Sequence, residues 1–114
     1  MKNTIRPLSG RGKEIKYKIE NGNFKVQWGN LRFTIKRTQV EDILNFFFIN
    51  SDKWYSLGAS FDNPSKGGLG EYIQKFKFSP RHASAIATIM VNEELIEHKG
   101  CKPIELRKYN MKKY

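Results

Sequence analysis

Between residues 15 and 36 the chain alternates apolar and polar positions, IKYKIENGNFKVQWGNLRFTIK, which is the signature of half-buried strands. Asn21-Gly22 interrupts the alternation. Both residues tolerate positive φ, so the pair predicts a two-residue hairpin turn. Setting Glu20 opposite Asn23 fixes the register. Ile19 then faces Phe24, Tyr17 faces Val26 and Ile15 faces Trp28 on one side, while Lys18 faces Lys25 and Lys16 faces Gln27 on the other. A second tight turn at Gly29-Asn30 brings Leu31, Phe33 and Ile35 onto the apolar side and Arg32, Thr34 and Lys36 onto the polar side. Residues 13–37 are therefore expected to form a three-stranded antiparallel meander, apolar on one face and basic on the other.

The period changes at Thr38. TQVE at 38–41 matches a capping box, in which the Thr38 hydroxyl and the Glu41 carboxylate serve free N–H groups at the start of a helix over 39–49. Val40, Ile43, Leu44 and Phe47 lie at helical spacing. Phe46, Phe48 and Ile49 widen the stripe beyond what a solvent-facing helix needs, so this helix is expected to be buried or to carry a contact surface. WYSLGAS at 54–60 predicts a short strand, and LGEYIQKF at 69–76 predicts a short helix. Ser79-Pro80 marks another helix start, with Ser79 as N-cap and Pro80 in the first position. Its core stripe is Ala83, Ile86, Ala87, Met90 and Val91, leaving Arg81, His82, Ser84, Ala85 and Thr88 directed outward. Strands over 95–99 and 104–108 close the pattern as a second hairpin. The expected class is α+β, one domain of 114 residues: an arm over 1–12, the meander over 13–37, a helix-and-hairpin part over 38–109 and a basic tail over 110–114.

Composition adds a charge asymmetry. The formal charge is +10, and residues 1–40 hold ten Lys/Arg against two acids, whereas 41–114 hold eleven against nine. Such a field favours polyanions, either nucleic acid or an anionic membrane surface. An aromatic content of 13% and a hydrophobic content of 39% exclude a disordered chain. The single cysteine, Cys101, excludes an internal disulfide and points to a cytoplasmic, intracellular setting. No apolar run approaches the roughly 20 residues of a membrane span, and MKNTIRPLSGRGK lacks the apolar middle of a signal peptide.

Like charges set opposite each other weaken a sheet, which makes Lys18 against Lys25 an anomaly. Together with Lys16, Arg32 and Lys36 they form a basic plate with acids, Glu14 and Glu20, only at its margins. Contact with phosphates explains why such a face is kept. The aromatic residues Tyr17, Phe24, Trp28 and Phe33 alternate onto the opposite side and read as core rather than as a base-stacking platform.

From Thr38 onward the order is helix, strand, short helix, capped helix and hairpin. With LGEYI opening one helix, Ser79-Pro80 opening the next, Ala83 and Ile86 on an inner face and Leu95-Ile96 leading into a hairpin, this carboxy-terminal part resembles a winged helix-turn-helix domain. The resemblance implies DNA binding: the helix beginning at Pro80 as recognition helix, with Arg81, His82, Ser84, Ala85 and Thr88 toward the major groove. It also implies wing cations Lys99, Lys102, Arg107 and Lys108 on phosphates. The meander is an addition to that pattern. Double-stranded DNA is the expected partner, favoured over RNA, with a protein partner or a homodimer also open.

Other chemistry is thinner. SKGGLGE at 65–71 is a glycine-rich loop before a helix, but it lacks the GK[ST] of a P-loop. His82, His98 and Cys101 do not make a four-ligand zinc set, and no cofactor or metal is expected. Glu97-His98-Lys99 with Asp62 leaves a metal-dependent nuclease as one alternative. A non-catalytic interaction or inhibitor subunit, using FFFI at 46–49, is the other.

Overall fold

The computed structural model describes residues 3–59, 66–100 and 103–109. Asp62, Cys101, Lys102 and the tail over 110–114 lie outside the described residues. The hairpin forms in the expected register, with Lys18 paired to Lys25, Tyr17 to Val26 and Ile15 to Trp28 between β2 (Ile15–Glu20) and β3 (Asn23–Trp28). Asn21 and Gly22 take φ of 54° and 82°, the left-handed pair that a two-residue turn requires. Gly29 turns the chain again at φ 61°, and β4 (Leu31–Ile35) pairs with β3 through Phe24–Ile35 and Val26–Phe33.

The meander has four strands, not three. Asn3–Ile5, read as part of a polar arm, forms β1 and pairs antiparallel with β2 through Thr4–Lys16 and Ile5–Ile15. β2 would otherwise leave an open row of N–H and C=O groups, and β1 covers it. The sheet order is β1-β2-β3-β4.

Helix α1 (Arg37–Asp42) begins earlier than the TQVE motif implies. Lys36, still extended, donates its N–H to Gln39 Oε1 at 2.9 Å, and Arg37 N–H donates to Asn23 Oδ1 at 3.0 Å. Gln39 thus performs the role expected of Glu41, and the hairpin itself caps the helix. Residues Ile43–Phe47 then widen into a π-helical turn, with Phe48 N–H donating to Ile43 C=O at 3.0 Å. The wider turn lets the consecutive Phe47 and Phe48 both reach the core, and it leaves Phe46 and Ile49 in solvent at 66% and 74% exposure.

Of the stretch 54–60, whose residue 60 lies outside the described residues, Tyr55–Ser56 forms a strand, β5, and it lies against β7 (Glu105–Lys108), which in turn pairs with β6 (Ile96–Lys99). This second sheet has the order β5-β7-β6. Helix α2 (Leu69–Tyr72) continues as a 3₁₀ turn over Ile73–Phe76. Its second residue must be glycine: a Cβ on Gly70 would stand 1.9 Å from the Gly58 carbonyl oxygen. Helix α3 (His82–Asn92) follows. Its start is closed by the Ser79 carbonyl, which accepts from His82 N–H at 2.9 Å. The Ser79 hydroxyl expected to cap the helix is buried without a hydrogen-bond partner among the described residues.

The largest departure from expectation concerns α3. Its outward face was to comprise Arg81, His82, Ser84, Ala85 and Thr88, yet Ala85 is 0% and Thr88 3% exposed. The apolar face of the four-stranded sheet lies over that side. Thr88 Oγ1 accepts from Leu8 N–H at 3.2 Å and donates to Ser84 C=O at 2.7 Å. The Phe33 ring meets His82 edge-on at 4.7 Å between centroids, and Phe78 stacks on His82 at 5.5 Å. At the far end the Tyr17 hydroxyl donates to Glu93 Oε2 at 2.5 Å and accepts from Asn92 Nδ2 at 2.7 Å. One core results, joining Tyr17, Val26 and Ile35 of the first sheet to Ile86, Ile89 and Met90 of α3 and Ile96 and Leu106 of the second sheet. No helix among the described residues is long and apolar enough to cross a membrane.

Candidate functional site

The outer face of the four-stranded sheet is built by alternation alone. Because Ile15, Tyr17, Phe24, Val26 and Ile35 must point to the core, Lys16, Lys18, Lys25, Gln27 and Arg32 must point to solvent, and all five are exposed. Two transverse rows result. Thr4, Lys16, Gln27 and Arg32 are consecutive cross-strand partners in one, and Lys18, Lys25 and Thr34 in the other. The face is hollowed into an open depression of about 540 Å³, lined by Lys16, Lys18, Lys25, Gln27, Arg32 and Thr34, with Tyr17, Val26 and Phe33 also contributing to its lining. A smaller hollow extends it past Lys16 to Lys13 and Glu14.

Within this face the one ion pair among the described residues is Lys18 to Glu20 at 3.2 Å, with both side chains about half exposed. An exposed pair of this kind contributes between zero and about 1 kcal/mol and exchanges readily for another anion. Lys36 stands apart from the depression, at the N-terminus of α1. The structure therefore gathers four of the five expected plate cations into one hollow.

The helix and hairpin residues are not gathered with them. Arg81 is exposed, but Ser84 is half-buried, Thr88 is enclosed, and His82 is wedged between Phe33 and Phe78. Burial holds the His82 pKa below its ordinary value, so the ring is neutral in this site. α3 does not offer the row of side chains that groove reading needs.

Two of the expected hairpin cations, Arg107 and Lys99, are committed elsewhere. Arg107 donates through Nε to Glu97 Oε2 at 2.8 Å, its Nη2 lies 2.8 Å from the same oxygen, and Lys99 Nζ lies 3.8 Å from Glu105 Oε1. Lys99 Nζ and Arg107 Cζ each stand 4.3 Å from the centre of the Trp54 ring. These two cations stand in a neutralised, aromatic-backed lattice rather than open to a ligand. It also engages the Glu97 carboxylate on which a nuclease centre would depend, and Asp62 lies outside the described residues. Among the described residues no group of three His, Cys, Asp or Glu is placed to hold a metal ion.

A polar cluster not anticipated from sequence joins α1 to the 3₁₀ turn. The Tyr72 hydroxyl donates to Asp42, and Lys75 Nζ reaches both Asp42 oxygens at 3.1 and 3.3 Å and the Tyr72 oxygen at 2.9 Å. The Tyr72 hydrogen bond, ahead of Lys75, holds the Asp42 carboxyl below the usual carboxylate range, whereas burial raises Tyr72. At neutral pH the trio is a fixed clamp between two elements, since its proton inventory does not change there. No protein-family model, curated protein or solved structure matches this chain.

Proposed function

We propose that this protein binds nucleic acid, duplex DNA ahead of RNA, by laying the basic outer face of its four-stranded sheet against a phosphate backbone. The observation that carries the reading is the pairing of Lys18 with Lys25 inside a hollow also lined by Lys16 and Arg32. Like charges directly opposite weaken the sheet, and a polyanion in the hollow converts that repulsion into attraction while releasing counterions. Neutral donors between the cations, Gln27 and Thr34, suit phosphate oxygens.

The carboxy-terminal part is read as winged-helix-like. The order helix, strand, helix, helix, hairpin, with β5 laid against β7, supports that reading. In this version the helix that such proteins present to DNA is used as core, and the binding role passes to the added sheet. The expected setting is cytoplasmic, on the nucleoid. Replacing Lys18 and Lys25 together by Gln tests the proposal. Duplex binding, followed by fluorescence anisotropy, should weaken roughly ten-fold at low salt, while thermal stability is kept or raised. Unchanged affinity with unchanged stability would remove the reading.

A second reading, a protein-interaction surface, is favoured by Phe46 and Ile49, large apolar side chains left in solvent close together in the chain. If copies of this chain meet there, light scattering will show concentration-dependent association that F46S/I49S abolishes. A monodisperse monomer at all concentrations would deny self-association through this patch.

A further inference from the structure

The spacing and chemistry of the same face also select among forms of nucleic acid. We infer that the hollow recognises double-stranded DNA through its two phosphate backbones, independently of base sequence and in preference to a single strand. This rests on the nucleic-acid reading above and narrows it.

Three observations carry it. The first is what the face presents. The aromatic residues of β2, β3 and β4, Tyr17, Phe24, Trp28 and Phe33, occupy the alternate positions; Tyr17 and Phe33 border the hollow, but the Tyr17 ring is buried with its hydroxyl on Glu93 and the Phe33 ring packs on His82 and Phe78, on the core side. Recognition of single strands depends on rings that receive unstacked bases, and none of these four rings stands on the basic face. Lys, Arg, Thr and Gln remain, a set matched to phosphate oxygens.

The second is charge density. Lys16 and Lys18 are two residues apart on one strand, about 7 Å, and Lys16 and Arg32 are two strands apart, about 10 Å. Four cations therefore fall within a patch of about 7 by 10 Å, Lys25 completing the set. A duplex carries one charge per about 1.7 Å of axis, so about 7 Å of duplex supplies four phosphates, whereas the same length of single strand supplies about two. Four cations are matched in number by the duplex.

The third is what is withheld. Base-edge readout requires an element that enters a groove, and the helix in the corresponding place is enclosed, with Thr88 bonded to Leu8 and Ser84. Backbone contact without groove contact carries no sequence information.

The test is anisotropy titration of the full chain, wild type and K18Q/K25Q, against two unrelated duplexes of about 20 base pairs and a thymidine-only single strand, between about 50 and 200 mM salt. The two duplexes should bind within about two-fold of each other and at least about ten-fold more tightly than the single strand. Four neutralised phosphates give a slope of log K on log salt of about −3.6, a loss of about 150-fold over that range. K18Q/K25Q should halve the slope to about −1.8. Equal or tighter binding of the single strand, or a ten-fold preference between the duplexes, overturns this inference while leaving the nucleic-acid reading in place. Loss of nothing on K18Q/K25Q, or no binding to any probe, overturns both.

Discussion

Tyr17 offers the most direct check that the four-stranded sheet closes over α3. It is 2% exposed, its ring lies 5.8 Å from that of Phe24, and its hydroxyl bonds Glu93 and Asn92 at the end of the helix. Tyr17→Phe keeps the ring and the packing and removes only the hydroxyl. A hydrogen bond to a charged group contributes about 1.5–3 kcal/mol. Glu93 is half-buried and recovers some hydration in the variant, so a loss near the lower end, about 1.5 kcal/mol, is expected at neutral pH. Burial, followed by the hydrogen bond to Glu93, pushes the Tyr17 pKa up to about 12 from 10.0. The unfolded chain therefore releases this proton near pH 10 while the folded chain retains it. The hydroxyl's contribution is complete below pH 10 and is lost as pH rises toward 12. At about 1.4 kcal/mol per pH unit, the stabilities of wild type and variant should converge near pH 11. Urea unfolding of both proteins in parallel from about pH 7, below the onset of this linkage, to about pH 11.5, within it, cancels the titration of the other tyrosines and lysines. A variant as stable as wild type at neutral pH would refute the sheet–helix bond, and a gap that stays constant with pH would refute its link to the phenol proton.

The remaining predictions follow from the same two faces. K18Q/K25Q, besides weakening DNA binding, should gain up to about 1 kcal/mol of stability from relief of the cross-strand repulsion, read as a rise in melting temperature at low salt that shrinks as salt screens it. Thr88→Val keeps the shape but removes the acceptor for Leu8 N–H and should cost about 1–3 kcal/mol. A Thr88→Val protein that unfolds at the wild-type denaturant midpoint would mean that the Leu8 segment does not cover the helix.

Much of the first sheet was legible because alternation and an Asn-Gly turn leave a single register: sliding Lys18 by one residue would bury it and expose Tyr17. β1 was not legible. Three residues, NTI, carry too little pattern to distinguish an arm from a strand, and the open edge of β2 supplies the ordering. The outward side of α3 was misread for a related reason. Ser84, Ala85 and Thr88 are small and uncharged, which fits solvent as well as it fits a sheet approaching closely, and only the tertiary fold decides between them. The hairpin cations held information that pattern alone did not use. Setting Lys99 opposite Glu105 and Glu97 opposite Arg107, the register found in the structure, already pairs two of the expected wing cations with acids. The placement of Trp54 against Lys99 and Arg107 is a long-range contact with no local signal.

These outcomes have one physical origin. A sheet with all its aromatic residues on one side must bury that side, and the small-residue face of α3 is the surface that receives it. Burial there encloses Thr88 and forces the cations of β2, β3 and β4 onto the opposite side, where they stand in a row-and-column array whose one ion pair among the described residues is Lys18 with Glu20. Three acids of the carboxy-terminal part, Glu93, Glu97 and Glu105, are drawn into pairs with Tyr17, Arg107 and Lys99, away from the hollow. Core formation and charge segregation are thus the same event, so a substitution that detaches the sheet from α3 should also scatter the basic face. Tyr17→Phe, if it leaves the array intact, should lower stability without altering duplex affinity at neutral pH; a parallel loss of affinity would show that the array depends on that single bond.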